Sequence, residues 1–443
     1  MRTLIKNGLI INENKSAIGH IVIQDSFIES VSYSENIPEG SFDKIIDASK
    51  QLVIPGIIDT HVHFRDPGLT HKADFHSESK AALSGGVTSV FDMPNVIPQT
   101  TTKKLIEQKI ESTKEKSLVN FAFYIGATND NLDELLNINP KIIPGIKVFI
   151  ASSTGNMLID NEMALNNIFS KLHLPIVIHS EDELMINANL EKIKQDYNNK
   201  KIPFSLHPYI RSREACIKAT EKMVLLAQKH HTRLHFLHIT TAEEIDILSN
   251  TDNNITAEVC VSYLQFSDAD YAQLGSKIKV NPAIKTENDR LALINAIANN
   301  NIQTISTDHA PHTETEKEAP YLKAPSGTPS IQHSFNILFE LYRNGYFSLE
   351  TIVDKLCHQP AKLFQIEKRG FIKENYFADI AIINPNTKWT VSKDNILSKC
   401  GWSALEGTTF HSKCTHTFVN GNLVFENGHF DETKKGIPIK FDR

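Results

Sequence analysis

The sequence predicts an α/β protein: a (β/α)8 TIM barrel with a small β-sandwich domain assembled from the N- and C-terminal segments. Three observations predict it. Eight apolar runs alternate with stretches of helical periodicity between residues 52 and 375. The segments on either side are β-rich and broken by turn residues. The residues able to do chemistry fall at the C-terminal ends of the apolar runs, the face on which such barrels carry their sites.

Residues 1–51 supply TLIKNGLII and GHIVIQDSFIESV, short β-rich runs punctuated by Asn-Gly and charged residues. Residues 376–443 read alike, with ADIAIINP and THTFVNGNLVFENGHF, and Asn420–Gly421 marks a hairpin turn. The two ends are expected to pack together as one small domain. Between them, residues 52–375 contain the strand candidates VIPGIIDTHVHF, GVTSVFDM, SLVNFAFYIGA, IIPGIKVFIA, LPIVIHS, RLHFLHI, ITAEVCVS and IQTISTDHA. TTKKLIEQKIESTKEK and SREACIKATEKMVLLAQKHH carry helical periodicity. Eight such units favour a barrel over an open doubly wound sheet.

Composition narrows the function. The chain of 443 residues has a net charge of −6 and no basic block, which argues against nucleic acid as a partner. No apolar stretch approaches the ~20 residues that span a bilayer, and Lys6, Asn7 and Asn12 interrupt any signal-peptide core. Cys216, Cys260, Cys357, Cys400 and Cys414 are odd in number and form no C-x-x-C. They read as reduced thiols in a cytoplasmic protein.

His61 and His63 stand two apart in DTHVHF, so on a strand they share a face and can share a metal. Lys147, His179, His238 and Asp308 each sit at or near the end of another strand candidate. Taken singly they have ordinary readings: an ion-paired lysine, two satisfied core histidines, a helix N-cap. Together at one barrel mouth they make one site. Four histidines, an aspartate and a lysine suit a binuclear zinc centre. An ammonium has no lone pair, so Lys147 takes part only as a carbamate bridging two metals. The residues themselves do not dictate that step.

PGIIDTHVHFRDPG, GGVTSVFDMPN, IKVF, IHSED, HIT, NPAIK and TDHAPH follow in this order from Pro55 to His312. They resemble the dihydroorotases, in the cyclic amidase branch of the amidohydrolase superfamily. The resemblance implies that His61, His63, His179, His238 and Asp308 bind two Zn2+ per chain, bridged by a carboxylated Lys147. Some relatives bridge with an aspartate from an acidic segment; Ala151, Ser152, Ser153 and Thr154 follow the strand here, which fits the lysine version. The resemblance also gives the substrate carboxylate to Arg65 and Asn95, joined by His312. It gives the pyrimidine ring to Asn281, and closure over the substrate to backbone from Ala324 to Gly327. The bottom-up reading of Arg65 agrees: it is expected on the strand face of His61 and His63, and guanidinium is the bidentate partner of a carboxylate. Where relatives often have a His-His pair after strand seven, this chain has Ser262 and Tyr263.

The activity so implied is reversible hydrolysis of L-dihydroorotate to N-carbamoyl-L-aspartate in pyrimidine synthesis, by a binuclear zinc-bound hydroxide with Asp308 as proton shuttle. The expected partner is that small-molecule substrate, with no nucleic acid and no membrane; the oligomeric state is left open, a homodimer being one assembly it allows. The nearest rivals are allantoinases, which usually have Asn in place of Arg65, and hydantoinases or dihydropyrimidinases, which usually lack D-H-A-P-H. A metal-free homologue serving as a scaffold is the rival of another class.

Overall fold

The computed structural model describes residues 1–151, 157–197 and 201–443. The β-rich ends of the chain meet in a single nine-stranded sheet. Arg2–Asn12, Lys15–Gln24 and Phe27–Ser32 run antiparallel in succession. Leu52–Pro55 is the seam. It lies parallel to the first strand, with Leu9 opposite Leu52, and antiparallel to Ile380–Asn384, with Val53 opposite Ile382. This strand begins where the barrel was expected to begin, yet it belongs to the terminal sheet. Lys413–Val419 and Asn422–Glu426 then form the hairpin expected at Asn420–Gly421. Both turn residues have positive φ, 50° and 76°, the conformation that suits a right-twisted hairpin. Ile5, Ile10, Ile21, Ile23, Val53, Ile380, Ile382 and Phe418 close one core of this sheet.

The middle of the chain supplies eight parallel strands. They are β1 (Ile57–Val62), β2 (Val87–Asp92), β3 (Asn120–Phe123, continued at Ile125–Gly126) and β4 (Ile146–Phe149). Then come β5 (Ile176–His179), β6 (Leu234–Phe236), β7 (Ile255–Cys260) and β8 (Thr304–Ser306). Each pairs with the next in parallel register. Beyond β8, His309 bridges back to Val62, and the His63 N–H donates to the His309 carbonyl at 2.8 Å. Almost every strand residue is buried, as parallel strands covered on both faces require.

The helices lie between the strands where helical periodicity placed them. Lys103–Thr113 and Arg213–His230 fall inside the two stretches read as helical. Their caps are local: Thr102 accepts from the Leu105 N–H and Ser212 from the Ala215 N–H. No helix of the described residues is long and apolar enough to cross a membrane, and all five cysteines are unpaired.

One buried polar knot ties the terminal sheet to β3. Arg369 pairs with Asp379, and Asp379 also accepts from the Asn420 N–H at 2.8 Å and from Asn120 Nδ2 at 3.2 Å. Asn420 Nδ2 donates to Asn120 Oδ1 at 2.8 Å. Asp379→Ala leaves the Arg369 guanidinium buried and uncompensated. It should destabilise the protein by about 3–5 kcal/mol, read as a lowered urea midpoint. A loss below about 1 kcal/mol on the same urea titration means that the knot does not hold the two parts together.

Candidate active site

The C-terminal ends of the eight strands converge on one cluster of side chains. His61 lies within β1 and His63 just past it. Lys147 is on β4 and His179 ends β5. His238 and Asp308 follow β6 and β8 by two residues each. All six are buried or nearly so. The expected strand-end placement therefore brings the six predicted residues to one mouth.

Hydrogen bonds decide which nitrogen of each histidine is free. His61 Nδ1 stands 2.7 Å from Glu258 Oε1, and His63 Nδ1 stands 2.8 Å from Asn95 Oδ1. Both partners are acceptors, so both Nδ1 atoms carry the proton and both Nε2 atoms present a lone pair. Those two Nε2 atoms lie 3.2 and 3.1 Å from the same oxygen, Asp308 Oδ1. Three electron-rich atoms within 4.8 Å of one another form a set that can hold a cation. His179 Nδ1 and His238 Nε2 meet at 2.9 Å. Their remaining nitrogens, His179 Nε2 and His238 Nδ1, are buried without a hydrogen bond, although His179 Nε2 is 3.1 Å from Glu181 Oε2. Buried imidazole nitrogens without partners are costly unless something binds them.

Burial pushes His63 down to about 4, against the pull of Asp308, and also lowers His179 and His238. All three are therefore neutral, the form that ligates metal. Burial opposes ionisation of Asp308, but the imidazoles of His61, His63 and His238 around it hold it below the ordinary carboxylate range. Burial brings Lys147 down to about 7, with Asp308, Glu258 and Cys260 acting the other way. Its Nζ sits 4.3 Å from the centre of the Phe149 ring. Ser152, Ser153 and Thr154, which bore on the choice of bridging residue, lie outside the described residues.

Beside the cluster is a small cleft lined in part by His63, Arg65, Asn95, Asn281, Asp308 and Gly327. The route by which Arg65 reaches it differs from the sequence expectation. β1 ends at Val62, so Arg65 is not on the strand face; it turns inward through a left-handed backbone with φ 67°. His238 and Asp308 are also left-handed, φ 39° and 47°. Backbone of this kind is strained for a non-glycine residue, and such strain clusters at functional sites.

Arg65 is 2 % exposed, and burial lowers its guanidinium to about 10. Its Nε donates to the Pro311 carbonyl at 3.1 Å, and Nη2 is 3.1 Å from His312 Nε2. It forms no ion pair with any carboxylate among the described residues. Asn281 Oδ1 is likewise buried without a partner. His312 stands behind Arg65.

Ala324 does not line the cleft: its carbonyl accepts from Lys279 Nζ at 2.7 Å. The loop EAPYLKAPSGTPS is fastened rather than loose. Lys279 also donates to the Tyr321 carbonyl, and Lys317 donates to the carbonyls of Pro325 and Gly327 at 2.9 and 2.8 Å. Gly327 has φ 141°, and a Cβ there would lie 2.5 Å from the Ala310 carbonyl. Tyr263, at the departure after β7, is buried with its hydroxyl donating to the Pro282 carbonyl.

Sequence reasoning missed several residues. Glu258 had a signal, a lone carboxylate in the apolar run ITAEVC, in phase with Cys260. Asp59 had one as well, two residues before His61. It accepts from Thr307 Oγ1 and the His61 N–H, and burial pushes it up to about 6. Lys72, Lys279 and Lys317 had none.

The family model described as "Amidohydrolase family" matches residues 52–424. A dihydroorotase of Methanosphaera stadtmanae is 30% identical over 415 residues, 93% of this chain and 94% of that protein. One of Staphylococcus epidermidis is 30% identical over 437 residues, 96% and 99% of the two chains. Among solved structures, an L-hydantoinase from Arthrobacter aurescens superposes with a TM-score of 0.92 at 24% identity, covering 97% of each chain.

Glu258→Ala should lower affinity for a divalent ion about 10- to 100-fold in chelator competition, because it frees the His61 ring to turn. Glu258→Gln, whose amide oxygen still accepts from Nδ1, should keep most of it. An alanine variant with unchanged affinity would show that Glu258 does not orient His61.

Proposed function

The chain belongs to the amidohydrolase family, and on that premise we propose that it acts as a dihydroorotase, opening the ring amide of L-dihydroorotate to N-carbamoyl-L-aspartate and closing it in reverse. The observation that carries this reading is Arg65. A buried guanidinium with no carboxylate partner, lining a cleft beside the metal-type cluster, asks for an anionic ligand. Dihydroorotate brings a carboxylate; hydantoin and allantoin do not. The full-length likeness to proteins named dihydroorotase supports the same choice.

The donor set fits two metal ions. His61, His63, His179, His238 and Asp308 would hold them, with Lys147 bridging as a carbamate. Zinc suits histidine and carboxylate ligands, and the unpartnered nitrogens of His179 and His238 are the orphans such ions would satisfy. Carbamate formation needs a neutral amine, and burial gives Lys147 one near neutral pH. When bound, the ions supply an activated water and polarise the amide carbonyl.

The chain's own residues do the rest. Asp308 takes the proton of the attacking water and passes it to the leaving ring nitrogen. Arg65 and Asn95, joined by His312, hold the carboxylate and so fix the ring against Asp308. Asn281 takes a ring N–H on its unpartnered oxygen. The backbone from Ala324 to Gly327 closes the far side, Gly327 in the cleft itself and Ala324 through its link to Lys279.

We read the eight strands as one closed barrel within residues 52–375, with the first four of the span's residues, Leu52–Pro55, given to the terminal sheet. The segments 1–51 and 376–443 then form a small β-sandwich domain in the cytoplasmic enzyme.

Two outcomes test the reading. The metal-loaded protein should hydrolyse dihydroorotate in preference to hydantoin and allantoin. Arg65→Met should cut kcat/KM for dihydroorotate by ~10-fold to 100-fold with metal content unchanged. An equal loss on an uncharged cyclic imide removes Arg65 as the carboxylate reader. Lys147→Ala should lose metal and activity together, with partial recovery in short carboxylic acids. A metal-loaded, active alanine variant places the bridge elsewhere.

A further inference from the structure

We propose that Lys72 is a positioning residue that fixes the tautomer of His312, so that His312 presents Nε2–H as a donor to the substrate's carboxylate. This rests on the reading above, in which His312 joins Arg65 at that carboxylate. Lys72 lies in the loop between β1 and the helix Phe75–Ser84 and is buried. Its Nζ is 3.0 Å from His312 Nδ1 and 2.8 Å from Glu316 Oε1. The ion pair with Glu316 keeps the amine an ammonium, and an ammonium only donates. His312 Nδ1 must therefore accept, and the single proton of the neutral ring sits on Nε2.

The surroundings of Nε2 agree. The Ser326 carbonyl, an acceptor, lies 3.0 Å away and accepts a hydrogen bond from Nε2–H until a carboxylate replaces it. Arg65 Nη2 lies 3.1 Å from the same nitrogen. A protonated Nε2 cannot accept from it, so that Arg65 N–H is not consumed by His312 and stays available to an anion. Burial, then the charges of Arg65, Lys72 and Lys317, keep the ring from taking a second proton.

The opposite tautomer would set Nδ1–H against the Lys72 ammonium. Nε2 would then accept from Arg65, and the cleft would lose two donors in one rearrangement. Without Lys72 that tautomer gains a partner, because Glu316 Oε2 is 3.9 Å from Nδ1. The choice between donor and acceptor at the carboxylate is thus made by a lysine on the far side of the ring.

The test is nitrogen NMR on the metal-loaded protein labelled at histidine, with His312 assigned by its disappearance in His312→Gln. The expected result is a neutral ring protonated at Nε2. In Lys72→Met the pattern should shift toward Nδ1–H, and KM for dihydroorotate should rise roughly 10-fold or more with kcat little changed. Lys72→Arg, which keeps a cationic donor, should restore both. A wild-type ring protonated at Nδ1 overturns the proposal, as does a Lys72→Met protein with a normal thermal melt and an unchanged KM. The tautomer is read without substrate. A protein that ignores dihydroorotate, yet loses Nε2–H on Lys72→Met, sustains the lysine assignment and overturns only the substrate.

Discussion

The site depends on one constraint: the commitment of Nδ1 on His61 and on His63 to a fixed acceptor behind the ring. Glu258 takes His61 Nδ1 and Asn95 takes His63 Nδ1, which turns both Nε2 lone pairs onto Asp308. His309 obeys the same logic in reverse. Its Nδ1 accepts from the Ser330 N–H at 3.0 Å, so Nε2–H donates to Glu78 at 2.8 Å. Asp308 is thereby held between a ring facing the cleft and a ring facing away from it. Acceptors placed behind histidines are what convert a collection of imidazoles into a ligand set.

The electrostatic cost of this arrangement is met by neutralisation and by distributed donors. His63, His179 and His238 are neutral because burial penalises their cations. Glu181 is kept ionised, despite burial, by Arg211 and His179. The loop over the cleft has its carbonyls capped by Lys279 and Lys317, buried amines that donate to backbone carbonyls instead of carboxylates and that burial holds below the usual lysine range. Arg65 stands out in this company. Among the described residues its only protein acceptor is one carbonyl through Nε, and no carboxylate pairs with the guanidinium.

Much of this was legible in the sequence, for identifiable reasons. The eight strands could be read because each is a short, doubly buried apolar run bounded by polar segments, and their ends located His61, His179 and Asp308 together. The terminal sheet could be anticipated in composition but not in its seam. Leu52–Pro55 is as apolar as β1, and nothing local says which sheet takes it. Arg65 was placed on a strand face by alternation, whereas a left-handed residue after Val62 delivers it; alternation holds only while the strand lasts. The loop after β8 was expected to close over the substrate only through the family resemblance, since its own Pro and Gly content marks no more than a loop. Its burial depends on Lys279, which lies some forty residues earlier in the chain, and periodicity carries no trace of such long-range pairs. The pairing of Lys72 with His312 is hidden for the same reason.

The unmatched charge of Arg65 also explains how a cleft this small can discriminate. An apolar pocket separates similar rings weakly, because a missing group leaves only a gap. A buried donor array does better, since a ligand without the matching acceptor leaves desolvated N–H groups unpaired. A neutral cyclic imide in this cleft would leave Arg65 unpaired, with Asn281 its main polar contact. A ring bearing a carboxylate satisfies the guanidinium and gains its orientation toward Asp308 from the same contact. Binding and alignment are then one interaction, and alignment is worth most when the proton acceptor is fixed by a left-handed backbone that cannot adjust to a tilted ring. On the proposed reading, the left-handed backbone at Asp308 and the isolation of Arg65 serve one requirement, that both ends of the substrate be held in register.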